Sequence, residues 1–79
     1  NMGRIPVYMR DLSDAKHIVQ IAGECRSNAN LVCGRYVVNA KSMLGVFALP
    51  TFGQVEMEVS DEDKERVKPK LEVFGLIRK

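Results

Sequence analysis

The sequence predicts an α+β fold, an open-faced arrangement of a four-stranded antiparallel sheet with three helices on one face, in the order βαββαβα. Three observations predict it. The apolar spacing switches repeatedly between two-residue alternation and helical periodicity, no segment repeats another, and glycine, proline or short polar runs fall at the switches. With 79 residues the chain is read as one domain over 1–79. A domain of this size buries roughly 60 to 65% of its unfolded surface, which supports one core and no large cleft.

Residues 4–9, Arg-Ile-Pro-Val-Tyr-Met, read as a first strand, and Pro6, which lacks an N–H, suits an edge or a strand start. From Ala15 the apolar positions Ala15, Ile18, Val19, Ile21, Ala22 and Cys25 have helical spacing, which predicts about three turns. Asp11, Ser13 and Asp14 lie at the start of that helix, where side-chain oxygens accept backbone N–H bonds and carboxylates favour the positive end. A polar loop over 26–30 follows. Residues 31–33 and 36–40 read as two antiparallel strands joined by Gly34-Arg35, a two-residue turn that requires positive φ at the glycine.

Residues 41–49 read as a short helix capped by Ser42 and stopped by Pro50, and 51–54 as a turn. Val55, Met57 and Val59 alternate with Glu56 and Glu58, which predicts a strand with one dry face. Ser60-Asp61-Glu62-Asp63 then signals a helix start, and Val67, Leu71 and Phe74 mark its apolar stripe. Pro69 predicts either a kink or a break into two turns. The charge run 61–64 is read as a solvated helix start.

The composition is that of an ordinary globular domain, 46% apolar and 28% charged. A net charge of +2, from 12 basic and 10 acidic residues, is too small to mark a nucleic-acid or membrane surface. Two cysteines fall far short of a stapled secreted scaffold, and Cys25 and Cys33 form no C-x-x-C pair and no cluster with His17. They are read as buried structural thiols, with no metal or cofactor site. No signal-peptide pattern and no run of about 18 apolar residues occurs, so the expected location is the cytoplasm. Asn1 ahead of Met2 is read as a residue left from expression.

The stretch Val38-Asn39-Ala40-Lys41-Ser42-Met43-Leu44-Gly45-Val46 resembles the most recognisable segment of the HPr family, the small phosphocarrier proteins of the bacterial sugar phosphotransferase system. Val19-Gln20 with Ala22, Asn30-Leu31 and Gly34 keep register with that motif without a gap. The likeness is weakest over the last twenty residues. Val-Asn-Ala-Lys-Ser is similar to the catabolite-repression HPr-like branch, which lacks the phosphorylated histidine, and Arg35-Tyr36-Val37-Val38 resembles short HPr-like proteins of clostridial type. The resemblance implies the HPr-like open-faced β-sandwich, the same βαββαβα order that periodicity gives.

In the family a histidine followed by Ala-Arg-Pro opens the first helix and accepts phosphoryl from enzyme I. Here Asp11 holds that position and Leu12, Ser13 and Asp14 follow it, so nucleophile and arginine are both missing and two carboxylates oppose an incoming phosphate. Asp11 is read as an N-cap, with an acyl-phosphate acceptor as the alternative; carboxylate acceptors ordinarily need a Mg²⁺ held by further carboxylates. His17 lies one turn too late and is read as a solvent-facing residue.

Ser42 is expected to cap the second helix, and the resemblance adds that the matching serine is phosphorylated by a dedicated ATP-dependent kinase. Met43, Leu44 and Phe47 are expected to form an exposed apolar patch near Asp11 and Ser13, where the resemblance implies contacts with phosphotransferase partners, HPr kinase or a transcriptional regulator. The function expected is therefore a non-enzymatic regulatory or adaptor protein with protein partners. The alternatives are a phosphoryl carrier using Asp11, or a ferredoxin-like module for small ligands or RNA. RNA is disfavoured because Tyr36 is the one aromatic in the middle strand pair.

Overall fold

The computed structural model describes residues 2–50 and 53–79. The elements are β1 (Met2–Met9), α1 (Leu12–Ala22), β2 (Asn30–Cys33), β3 (Tyr36–Asn39), α2 (Met43–Phe47), β4 (Gly53–Ser60) and α3 (Asp61–Val73). Among the described residues the strands form one antiparallel sheet in the order β1-β4-β2-β3, and the fold is the α+β open-faced arrangement that the alternating periods predict. Part of the expected turn over 51–54 lies outside the described residues, and Gly53 and Gln54 belong to β4.

The sheet register explains the layering. Ile5, Met57, Leu31 and Val38 lie in one row across the four strands, and these residues face the helices. There they meet Ala15, Ile18, Ile21, Ala22, Val46, Val67 and Leu71 in a single core. The next row, Arg4, Glu58, Asn30 and Asn39, faces away. On that open face Glu58 accepts hydrogen bonds from Arg4 at 3.4 Å and from Asn30 at 3.3 Å. A polar ladder therefore finishes the face that no helix covers.

The element boundaries follow the sequence reading in part. The first helix starts at Leu12, with Asp11 in extended backbone as the cap that the sequence predicts. The second helix begins behind Ser42, which is extended with φ −112° and caps it as expected, but it ends at Phe47, and Leu49 follows the helix while remaining buried. At the hairpin, Gly34 has φ +58° and Arg35 does not have positive φ, the pattern of a type II′ turn. α3 runs unbroken through Pro69, so the alternative of two separate turns is excluded.

The charge run 61–64 is not uniformly solvated. Asp63 is only 1% exposed, and its carboxylate accepts the backbone N–H groups of Arg26 and Ser27, both at 2.9 Å. Those bonds hold the loop between α1 and β2 against the start of α3. Residues 63, 67 and 71 are spaced by four, so Asp63 lies on the buried stripe with Val67 and Leu71. Phe74 does not continue that stripe. It is half exposed at the helix C-cap, and its ring stacks on His17 with centroids 4.0 Å apart. His17 is thereby half-buried and is not the solvent-facing residue expected. Cys25 is buried as predicted, whereas Cys33 is partly exposed at the sheet margin.

Beyond α3 the chain returns to the sheet. Gly75, with φ +65°, lets the Leu76 N–H bond the Leu71 carbonyl and its own N–H bond that of Glu72, a Schellman ending with Leu76 packed in the core. The tail then bridges β1: Tyr8 donates its N–H to Leu76 O at 2.7 Å, and Arg78 donates its N–H to Pro6 O at 2.9 Å. The Arg78 guanidinium also donates to Val55 O at 3.1 Å.

Candidate functional site

The candidate site residues lie on two segments, Asp11 and Ser13 at the start of α1 and Ser42, Met43, Leu44 and Phe47 along α2, and the two helices pack against each other. Asp11 caps α1: its Oδ1 accepts the Asp14 N–H at 2.9 Å and its carbonyl accepts the Ala15 N–H at 3.2 Å. One of its oxygens is therefore already spent on an orphan helix amide. Asp14 is buried beneath it. The Asp14 Oδ2 accepts the backbone N–H and the Nε–H of Arg10, both at 2.8 Å.

Arg10 is the feature that the sequence reading overlooked. Its side chain turns back across the helix start, pairs with Asp14 four residues later, and lies 4.8 Å from the centre of the Tyr8 ring. The guanidinium holds the Asp14 carboxyl below the usual carboxylate range, against the opposing effect of burial; the same pairing raises Arg10. The picture of two free carboxylates at this helix end is thus corrected. Asp14 is neutralised by a neighbour, and Asp11 and Ser13 are the exposed polar groups that remain. The signal was present, since Arg10 and Asp14 stand four apart, but Arg10 precedes the cap and lies outside the helical pattern.

Ser42 occupies the N-cap of α2. Its Oγ accepts the Gly45 N–H at 3.0 Å, its carbonyl accepts the Val46 N–H at 2.9 Å, and its own N–H reaches Asn39 O at 3.2 Å. Gly45 lies close to its neighbours: a Cβ there would stand 3.2 Å from Asn39 O, a tight contact that the Asn39 peptide would have to yield to by a few tenths of an ångström. Lys41, the residue before the cap, donates through Nζ to the Cys25 carbonyl beyond the end of α1, at 3.1 Å.

Downstream of the cap, Leu44 is 83% exposed and Phe47 49% exposed, while Met43 is half-buried and Val46 fills the core. Leu12, in the first turn of α1, is also about half exposed. The expected apolar patch is therefore present on α2, with Leu44 and Phe47 as its exposed members. His17 stays apart from it, turned toward Phe74 at the far end of α3.

Chemically, this is a surface of capped helix ends and uncovered apolar side chains. Among the described residues no three His, Cys, Asp or Glu side chains converge to hold a metal ion, and no helix is long and apolar enough to cross a membrane. A groove of about 280 Å³ lies elsewhere, lined by Gln20, Ile21, Glu24, Lys70, Val73 and Phe74. Glu24 and Lys70 form an ion pair at its rim. None of Asp11, Ser13, Ser42, Met43, Leu44 and Phe47 lines it. No protein-family model, curated protein or solved structure matches this chain.

Proposed function

We propose that this chain is an HPr-like regulatory or adaptor protein that acts by binding other proteins through the start of α1 and the exposed side of α2, without carrying phosphoryl groups itself. The observation that carries the reading is the pairing of two features on adjoining elements. At the position where the family resemblance requires a nucleophile, Asp11 is engaged as a helix cap and Asp14 is paired with Arg10. On α2, which packs against α1, Leu44 is 83% and Phe47 49% exposed. Exposed apolar clusters of this kind mark interaction sites more often than they occur by chance.

The partners that the resemblance suggests are phosphotransferase components, HPr kinase or a transcriptional regulator, in the cytoplasm. Ser42 is the candidate regulatory position. A phosphate on its Oγ would keep acceptor oxygens at the free amides of the α2 start while adding negative charge next to Met43 and Leu44. Binding could then be switched without altering the core.

Intact-mass measurement tests this reading in two arms. Incubation with enzyme I and phosphoenolpyruvate is expected to add no phosphoryl group, and incubation with the ATP-dependent kinase is expected to add one, at Ser42. A labile adduct on Asp11 or His17 in the first arm would make the protein a carrier and end the reading. An unmodified Ser42 in the second would remove the regulatory site.

A further inference from the structure

The two edges of the sheet are treated differently. β1 is protected: Pro6 has no N–H to offer, and the returning tail bonds Tyr8 and Pro6 through Leu76 and Arg78. β3, the opposite edge, has no proline and no charged residue within Tyr36–Asn39, and Val37 is 58% exposed there.

The hydrogen-bond phase of the hairpin shows which groups β3 leaves free. Ala40 donates to Ala29 O at 2.8 Å, and Leu31 with Val38 and Cys33 with Tyr36 stand opposite one another at two-residue intervals from that pair. In an antiparallel ladder the bonded pairs alternate, so Tyr36, Val38 and Ala40 direct their peptide groups to β2, and Val37 and Asn39 direct theirs outward. The Asn39 carbonyl is turned to the Ser42 N–H. Among the described residues, the open positions are thus both peptide groups of Val37 and the N–H of Asn39.

We propose that this edge is a self-association surface, on which β3 of a second copy pairs antiparallel with Val37 opposite Val37 of the second copy. The pairing follows from the free groups. Each Val37 N–H donates to the Val37 carbonyl across the two-fold, and each Asn39 N–H donates to the opposing Arg35 carbonyl. This register keeps the helix layers of both copies on the same side of a continuous sheet.

Side chains favour the same register. Val37 meets its counterpart on the open face, Tyr36 meets Val38 on the helix side, and β-branched and aromatic neighbours of this kind are the pairs that stabilise sheets. Arg35 falls opposite Asn39, so no like charges oppose one another. That charge-neutral self-match is why a second copy is the occupant. The edge is short, and the association belongs to the weak class of small interfaces. The pairing uses Arg35, Val37 and Asn39 and none of the α1 and α2 residues named above, so the proposal does not rest on the function inferred above.

Charge substitutions at the two-fold position provide the test. Sedimentation velocity over a concentration series reaching about 1 mM, the range suited to weak small interfaces, is expected to show the wild type passing from monomer to dimer. Val37→Lys and Val37→Glu, each folded by circular dichroism, are expected to dimerise roughly tenfold more weakly alone because like charges then face one another. An equimolar mixture of the two is expected to recover the dimer, since Lys then faces Glu. A wild type that stays monomeric throughout overturns the proposal. So does a Val37→Lys protein that dimerises as the wild type does, or a mixture that remains monomeric.

Discussion

Asp63 and Asp14 lie in the first turns of different helices, and each is buried with its carboxylate satisfied by donors outside the helix it begins. For Asp63 the donors are backbone N–H groups of Arg26 and Ser27, which hold its pKa below the ordinary carboxylate value; for Asp14 the dominant donor is the Arg10 side chain. A carboxylate with a depressed folded pKa contributes stability that is fully present above its unfolded value of about 3.9 and is lost as pH falls through the folded pKa. Thermal melts between neutral and acid pH should therefore show stability declining below about pH 4 to 5 in the wild type. Asp63→Asn is expected to melt lower at neutral pH and to show a shallower decline on acidification. An Asp63→Asn acid limb as steep as that of the wild type would assign the pH dependence elsewhere.

The same residues show where sequence reading works. Asp11 and Ser42 were legible as caps, and Ser60 as the first residue of a helix-start signal, because a short polar side chain ahead of a helical run has few other roles. Asp63 was not, since it was read within a charged run; its spacing with Val67 and Leu71 places it on the buried stripe. His17 and Phe74 were misassigned for a different reason. Their contact joins positions 57 apart in sequence, and neither belongs to the stripe of its own helix.

At the scale of elements, α3 carries an unresolved conflict between local preference and tertiary packing. Pro69 lies in its interior and is exposed, so it removes a helical hydrogen bond without filling the core. Val67 and Leu71, both fully buried, hold the helix continuous across it. An interior proline costs about 3 kcal/mol, partly offset by the lower entropy it gives the unfolded chain, roughly 0.4–1 kcal/mol. Pro69→Ala is accordingly expected to raise the unfolding free energy by about 2 kcal/mol, measured by urea denaturation with an unchanged m-value. No gain would show that the chain has already relaxed around the proline. Element type and order were legible from periodicity throughout. The tail was not, because Leu76 and Ile77 are too few to display a period, although Gly75 ahead of them is the usual mark of a helix end.

At the scale of the whole molecule, one sheet separates two kinds of surface. The open face closes itself with the Arg4, Glu58 and Asn30 ladder, whereas the helix layer leaves Leu44 and Phe47 uncovered. The fold and the exposure of Leu44 and Phe47 were readable from the sequence; the half-burial of Met43 and the neutralised α1 start were not, the latter because it depends on Arg10 folding back over Asp14. Because Leu44 is 83% exposed and Phe47 about half exposed, replacement with aspartate is expected to cost no more than about 0.5 kcal/mol at Leu44 and about 1 kcal/mol at Phe47. The most direct test of the binding claim is a quantitative pull-down from the source organism, with wild type and Leu44→Asp/Phe47→Asp proteins verified as folded. The account predicts that proteins retained by the wild type are lost from the double variant. Equal retention by both would contradict it.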